Sequence, residues 1–387
     1  MTIAILVWSR IWGGLESHVV DLAVTASQDG HHVILACVGK ETATLFETRG
    51  APATLQVVTS PTAAYSVRGW YRQFRALGAT ACVFEKGTLH TGSLAMDLAA
   101  RAAFKVFVTI QQLEPPTLGV RSSKRYLGGF VPGLGLWWYR QRFRGWLRSL
   151  SPARTICITQ AVQSALETSY GFASRRLPVI HNGVDVDRFS PDTDAARAPA
   201  SIGAPLTFGT AARLIHEKGI DVAIRAFAQA VREAPDVPMR LLIANDGSER
   251  HALEQLAQQL GVAEEVRFLG FQRDLPAFYR TVDIFLVPSR IEAQGLIVLE
   301  AMASGCLVIA SAVGGIPEMI TRSELGTLVP PDDASALAEA MNEVRRLSSD
   351  ERRARAAAGR THVCEHFVAR TQCREILELV EHLASEA

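Results

Sequence analysis

Arg213 and Lys218 stand in TAARLIHEKGI, directly after the apolar run Leu206–Ala211. Two cations on one short loop suit a diphosphate, whose charge they would neutralise as it leaves. A solvated surface pair is the plain alternative. Glu292 and Glu300 flank the segment AQGLIVL. A carboxylate can accept two hydroxyls of a ribose or hexose at once. Glu300 interrupts the apolar stretch LIVLEAMA, where a charge calls for a partner rather than for solvent. Gly295 opens a helix there, so Gly295 and Leu296 could present backbone N–H groups to a phosphate.

Gly13-Gly14-x-Glu16 follows the first apolar run, Ile3–Val7. Missing Cβ atoms let a ligand approach the backbone, and the helix after them offers free N–H groups. An ordinary strand-to-helix turn explains the pair equally well, and the spacing is not the dinucleotide fingerprint GxGxxG. Asp246-Gly247 and Gly314-Gly315 with Glu318 are weaker signals of the same kind. Asp185-x-Asp187 matches a metal pattern but follows Asn182-Gly183 and reads as a turn. Cys364-x-His366 has no partner pair and lies on a helix, and His31-His32 reads as the opening of a strand, so no metal is expected.

From Pro115 to Leu166 the chain carries eight Arg/Lys and no Asp or Glu. Within it, residues 134–150 (LGLWWYRQRFRGWLRSL) interleave Trp137, Trp138, Phe143 and Trp146 with Arg140, Arg142, Arg144 and Arg148. That mixture suits a bilayer headgroup region or an anionic, lipid-linked ligand. A helix docked on its own domain with wet arginines fits as well, and nucleic acid fits less.

Positioning these residues requires alternating strands and helices. Buried strands are expected at Ile3–Val7, His32–Val38, Ala81–Phe84, Lys105–Thr109, Arg154–Thr159 and Leu177–Ile180. After Ser190–Pro205, which lacks any apolar period, a second alternation runs from Leu206 to Ala310. The expectation is an α/β chain of two Rossmann-like domains with parallel sheets facing each other across a deep cleft. The boundaries are 1–190, a linker at 191–205, 206–368, and a terminal helix over 369–387. A length of 387 residues agrees with two domains. The net charge of +1 hides 20 Lys/Arg against 11 Asp/Glu in residues 1–190, and 20 against 28 in the rest. The basic half could face an anionic partner. Six scattered cysteines indicate neither a disulfide scaffold nor a zinc site. The opening MTIAILVWSR lacks the order of a secretory signal, and no apolar stretch is long enough to span a bilayer. The expected location is cytoplasmic, with peripheral contact on the inner membrane face through residues 134–150.

Taken in order, several segments resemble the retaining nucleotide-sugar glycosyltransferases of family 4, which have the GT-B fold. They are GGLESHVVDLA, ICITQAVQSAL, VIHNGVDVDRFSP, GTAARLIHEKGIDVAIRAF, VRFLGFQRDLPAFY, VDIFLVPSRIEAQGLIVLEAMASGCLVIASAVGGIPEMI and GTLVPPDD. The resemblance implies transfer of a hexosyl residue from a UDP- or GDP-sugar to an acceptor hydroxyl, with retention, without a metal or other cofactor. It assigns Arg213 and Lys218 to the diphosphate and Glu300 to the ribose. Glu292 goes to the hexose and its phosphate, and Gly295 and Leu296 to backbone contacts. Gly14 is placed near the donor phosphate or acceptor. Arg213, Lys218 and Glu292 form the catalytic set. The last helix is implied to cross back to the first domain.

Two positions depart from the family pattern. Gln294 stands where Phe is common before the glycine. Gln111, in Thr109-Ile110-Gln111-Gln112, stands where many members carry His; it can bond a sugar hydroxyl but cannot take a proton as imidazole does. His18 and His90 could line the cleft on the acceptor side. Expected partners are the nucleotide sugar and a glycan, lipid-linked or small-molecule acceptor, with cell-surface polysaccharide or lipid-linked glycan assembly as the setting; no nucleic acid is expected. Alternatives are transfer to a small soluble acceptor in secondary metabolism, a nucleotide-sugar epimerase of the same fold, and an inactive binding protein.

Overall fold

The computed structural model describes residues 1–9, 13–48, 54–58, 66–86, 94–112, 123–126, 129–132, 155–170, 177–191 and 205–386. The chain divides into two units. Met1–Asn182 with Ala369–Ala387 form the first, and Gly183–Val368 the second.

The first unit is built on β1 (Thr2–Val7), β2 (His32–Val38), β3 (Thr54–Val58), β4 (Ala81–Lys86), β5 (Val106–Gln111) and β8 (Thr155–Cys157). Its parallel order is β3-β2-β1-β4-β5-β8. Near-continuous apolar strands such as Ile3–Val7 are buried on both faces, as helix-covered parallel strands must be. The covering helices include α1 (Gly14–Gln28), α2 (Lys40–Glu47), α3 (Val67–Ala76), α4 (Leu94–Ala103) and α5 (Gln160–Tyr170). A short antiparallel hairpin joins β6 (Ser123–Tyr126) and β7 (Gly129–Pro132). The strand order reverses between β1 and β4: β1 pairs with β2 on one side and β4 on the other, so Val7 lies opposite Cys37 and Glu85.

The second unit repeats this topology with β9 (Leu206–Ala211), β10 (Met239–Ala244), β11 (Val266–Gly270), β12 (Ile284–Val287), β13 (Leu307–Ser311) and β14 (Thr327–Val329), ordered β11-β10-β9-β12-β13-β14. Alternation along the strands feeds two cores. Ile284, Leu286, Leu307 and Ile309 pack on one face with α6 (Ile220–Glu233) and α11 (Ala334–Arg346). Phe285, Val287, Val308 and Ala310 pack on the other with α9 (Leu296–Ala303). The remaining helices are α7 (Arg250–Gln259), α8 (Leu275–Arg280), α10 (Ile316–Met319) and α12 (Ser349–His366). Here the order reverses between β9 and β12. In open α/β sheets the loops leaving the two strands at such a reversal are where ligands bind.

Several expectations shift. The first unit ends at Asn182, not at 190, because Val184 and Phe189 are buried in the second unit's core. Val184 N donates to Phe367 O at 2.8 Å, and the Phe189 ring meets Tyr279 edge-on. Leu177–Ile180 makes a single bridge, Cys157 to Val179, rather than a strand. Strands β3 and β14 escaped the sequence reading: β3 is a half-exposed edge and β14 has only three residues, so neither shows a buried run. The last helix, α13 (Ala369–Glu386), packs in the first unit. Its face of Cys373, Ile376, Leu377 and Val380 is buried, and Arg374 bonds Asp29 at 3.0 and 3.1 Å. Asp185-x-Asp187 is a turn: Asp185 Oδ1 accepts the N–H groups of Asp187 and Arg188. All six cysteines are free thiols.

Candidate active site

In the second unit, the residues singled out for a diphosphate and a sugar sit on the loops that leave β9 and β12. The β9 loop ends in a 3-10 turn, His216–Lys218, and Gly219 then starts α6 in the left-handed region at φ 62°. A Cβ on Gly219 would collide with the carbonyl oxygen of Pro288, so only glycine lets the two loops touch backbone to backbone. Gly314, at φ 53°, does the same from the other side, against the carbonyl of Glu292. The Gly314-Gly315 pair therefore supports the Glu292 loop, with Gly315 N donating to Ala293 O at 2.7 Å.

Across this junction Lys218 Nζ donates to Glu292 Oε1 at 2.5 Å, and Ser289 Oγ donates to the same oxygen at 3.0 Å. The two charged side chains remain 21% and 11% exposed, so the pair is reachable from solvent. Arg213, from the same loop as Lys218, is exposed. Its loop is braced by Asp246-Gly247, since Leu214 N donates to Asp246 O at 3.0 Å; that pair serves the loop. Glu300 lies one helical turn beyond Leu296 on α9, and Tyr279 OH donates to its Oε2 at 2.7 Å. Burial first, and then the Glu300 carboxylate, push the Tyr279 phenol well above its ordinary range, so it stays a donor. Gln294 is enclosed rather than presented on a surface, and Gly295 caps α9.

Sequence reasoning missed the residue that locks the junction. Arg290 Nη1 donates to His216 O at 2.7 Å, its guanidinium forks onto both oxygens of Asp221 at 2.9 Å, and Nε reaches Asp332 Oδ1 at 2.9 Å. Its backbone N–H adds a bond to Glu217 O at 2.9 Å. Burial works to raise the Asp221 carboxyl, but the bonds from Arg290 and Arg225 outweigh it and hold it below the usual range. The signal was an Arg beside Ser289 in a segment otherwise read only for Glu292. Tyr279, likewise, closes VRFLGFQRDLPAFY and carried no mark of its role.

In the first unit, Gly14 is exposed at the start of α1, but Glu16 folds back on the amides there and is buried. Burial, chiefly, raises its carboxyl. His18 does not line a surface: it is 2% exposed, with Nδ1 donating to Glu85 Oε1 at 2.8 Å. Gln112 Nε2 donates to Glu85 Oε2 at 2.8 Å, and Asn182 Nδ2 to Gln112 Oε1 at 2.8 Å. Burial works to lower the His18 pKa, but the Glu85 charge and the neighbouring Cys373 and Glu85 bonds outweigh it and hold it well above its ordinary value. Gln111 ends β5 opposite Lys86 and is buried, and Gln112, the next residue, joins the network. Beside it Lys86 Nζ donates to Asp97 Oδ2 at 2.7 Å, both side chains buried. Glu85 and Lys86 also went unmarked, as charges at the end of an apolar run. His90 and residues 134–150 lie outside the described residues.

Two family models match in succession, Glycosyltransferase Family 4 over residues 12–188 and Glycosyl transferases group 1 over residues 193–361. The chain belongs to glycosyltransferase family 4. A D-inositol 3-phosphate glycosyltransferase of Corynebacterium urealyticum is 32% identical over 58% of this chain and 55% of its own length. A GDP-mannose-dependent alpha-(1-6)-phosphatidylinositol monomannoside mannosyltransferase of Mycolicibacterium smegmatis is 33% identical over 58% of this chain and 60% of its own. The chain thus spans little more than half the length of these relatives. The crystal structure of Anabaena HepE in complex with UDP superposes with a TM-score of 0.77 at 20% identity, over 99% of this chain and 100% of HepE. The shared fold is GT-B.

Proposed function

We propose that this family member is a retaining glycosyltransferase that moves a hexosyl residue from a UDP- or GDP-sugar to an acceptor hydroxyl. One observation carries the reading: Lys218, Glu292 and Ser289 meet within 2.5–3.0 Å where the sheet order reverses, with Arg213 on the same loop. Cations for a diphosphate and carboxylates for sugar hydroxyls are thereby gathered at one ligand-binding edge.

Arg213 and Lys218 neutralise the diphosphate as the bond from the anomeric carbon to the phosphate oxygen breaks, so no metal is called on for that charge. Both bonds to Glu292 fall on Oε1, which leaves Oε2 to accept a hexose hydroxyl and Oε1 to hold Lys218. Glu300, fixed by Tyr279, accepts the ribose hydroxyls, and the N–H groups of Gly295 and Leu296 face the phosphates. The acceptor oxygen bonds to the anomeric carbon on the face the phosphate leaves, and its proton passes to the leaving phosphate oxygen. That path needs no imidazole at Gln111. Gly14 and the first unit hold the acceptor.

The names of the relatives, with inositol phosphate and a phosphatidylinositol mannoside among them, support an acceptor in lipid-linked glycan or cell-surface polysaccharide assembly. The site of action is then the inner membrane face. Among the described residues no helix is long and apolar enough to cross a membrane.

The test is mass spectrometry of products from UDP-, GDP- and dTDP-sugars offered with inositol phosphate, lipid-linked and small-molecule acceptors. A glycosylated acceptor of unchanged anomeric configuration is expected. Free epimerised sugar, an inverted product or no donor consumption with any pair overturns the reading.

A further inference from the structure

The first unit's sheet has its own strand reversal, between β1 and β4, and the loops leaving a reversal are where an open α/β sheet takes a ligand. Trp8 at the end of β1, 37% exposed, and Gly14 at the start of α1 are open to solvent there. One turn further along α1 the surroundings change. His18, Glu85, Gln112 and Asn182 are each 5% exposed or less, and they form a run of polar side chains that the proposed transfer does not use.

The run ties separate parts of the first unit together. His18 Nδ1 donates to Glu85 Oε1 at 2.8 Å, which joins α1 to the end of β4. Gln112 Nε2 donates to the other oxygen, Oε2, at 2.8 Å, which adds the residue past β5. Asn182, the last residue of this unit before the chain passes to the second, donates to Gln112 Oε1 at 2.8 Å. Cys373 of α13 bonds the ring as well. Replacing a buried ionic group by apolar residues of similar volume is often neutral or stabilising, so such a run is a poor way to add stability. It is a good way to fix relative position, because each bond has a preferred length and direction. The two oxygens of Glu85 are taken by different elements, and the carboxylate therefore sets the spacing between α1 and the β5 end. The same hold reaches the surface: Ser17 N and Oγ bond Gly13 O at 3.1 and 3.2 Å, so the first turn of α1 moves with His18 as one piece. His18 itself, closed off from solvent and with Nδ1 committed to Glu85, touches no substrate and is no general base.

We infer that His18 is a positioning residue for the acceptor: through Glu85 it fixes the first turn of α1, and with it Gly14, against the ends of β4 and β5. The inference rests on the reading above that the first unit holds the acceptor.

The test compares full-length wild type, His18→Ala, His18→Asn and Glu85→Gln. The donor side is read as the dissociation constants of UDP and GDP, and the acceptor side as KM and kcat for the acceptor that wild type glycosylates in the panel above. His18→Ala should raise the acceptor KM at least about tenfold, the scale of one hydrogen bond to a charged group, and leave both nucleotide constants unchanged. His18→Asn restores a short donor and should recover most of that loss. Glu85→Gln keeps the volume but turns one of two acceptor oxygens into a donor; it should shift KM the same way, and it decides the matter where His18→Ala does not fold. An unchanged acceptor KM in the folded variants overturns the proposal, and so does an equal loss of nucleotide binding. Hydrogen exchange without substrate is the second arm. Amides of residues 14–18 should exchange faster in the folded variants than in wild type, and unchanged exchange overturns the proposal whether or not wild type transfers a sugar. A wild type that glycosylates no acceptor refutes the proposed function instead, and the exchange arm then decides whether His18 holds α1.

Discussion

Lys218 Nζ and Glu292 Oε1 lie 2.5 Å apart although they come from loops 74 residues distant in sequence. The bond fixes the ammonium at the junction of the two loops, where the proposed diphosphate would meet it. Lys218→Ala should therefore lower turnover by at least about tenfold, the effect of losing one transition-state charge contact. Steady-state kinetics with saturating nucleotide sugar would measure it. Near-normal turnover would remove Lys218 from the reaction.

Glu300 needs a different readout, because it is proposed to hold the ribose in the ground state as well as in the transition state. Glu300→Ala should raise the donor dissociation constant with a smaller effect on turnover. Tyr279→Phe keeps the packing and removes only the 2.7 Å bond. It should weaken donor binding in the same direction by about tenfold, the scale of a hydrogen bond to a charged group. Calorimetric titration with UDP and GDP separates the two variants, and an unchanged constant in both would detach Glu300 from the nucleotide.

What could be read from sequence divides along physical lines. Buried parallel strands such as Ile3–Val7 and Ile284–Val287 announce themselves because burial on both faces demands unbroken apolar runs. Glu300 was marked because a charge inside an apolar segment needs a partner, which the Tyr279 hydroxyl supplies, whereas the contact of Lys218 with Glu292 shows only in the folded chain. Tyr279 and Arg290 were not marked, because their partners, Glu300, Asp221 and Asp332, are brought near only by the folded sheet. His18 misled for the same reason: a histidine four residues after a glycine pair reads as a cleft residue until Glu85 is found beside it.

Arg290 should act through the loops it joins. Arg290→Ala removes the bonds to His216, Asp221 and Asp332 together, leaving Asp221 half-buried beside Arg225 alone. The 3-10 turn carrying Lys218 would then loosen against the Glu292 loop. A loss of about 1.5–3 kcal/mol in stability is expected from a charge-assisted site, read by denaturant melts of the full chain. A fall in kcat/KM should accompany it. Arg290→Lys, which keeps charge but loses the fork, should recover stability better than kcat/KM. Equal recovery of both would make Arg290 a stabilising residue without influence on Lys218.

The His18–Glu85 pair sets a pH dependence whose sign follows from the raised folded-state pKa of His18. In the unfolded chain the imidazole titrates near its ordinary value of about 6.5. Below that both states hold the proton and the pair contributes fully. Between that value and the raised folded value only the folded state keeps it, so stability falls as pH rises, by up to about 1.4 kcal/mol per pH unit. Gln112 and Cys373 are the other polar or titratable groups at the ring, and Glu16 acts on Glu85. Burial pushes the Cys37 and Cys157 thiols up to about 12 and raises Cys82 and Cys373 as well, so thiol ionisation in the unfolded chain also favours unfolding once pH passes about 8. Melting followed by circular dichroism between about pH 6.5 and 7.5, below the thiol range, isolates the histidine. Wild type should lose stability steadily across that window, and His18→Gln should be less stable at the start but nearly flat. Parallel slopes for the two proteins would mean that His18 is neutral in the folded chain.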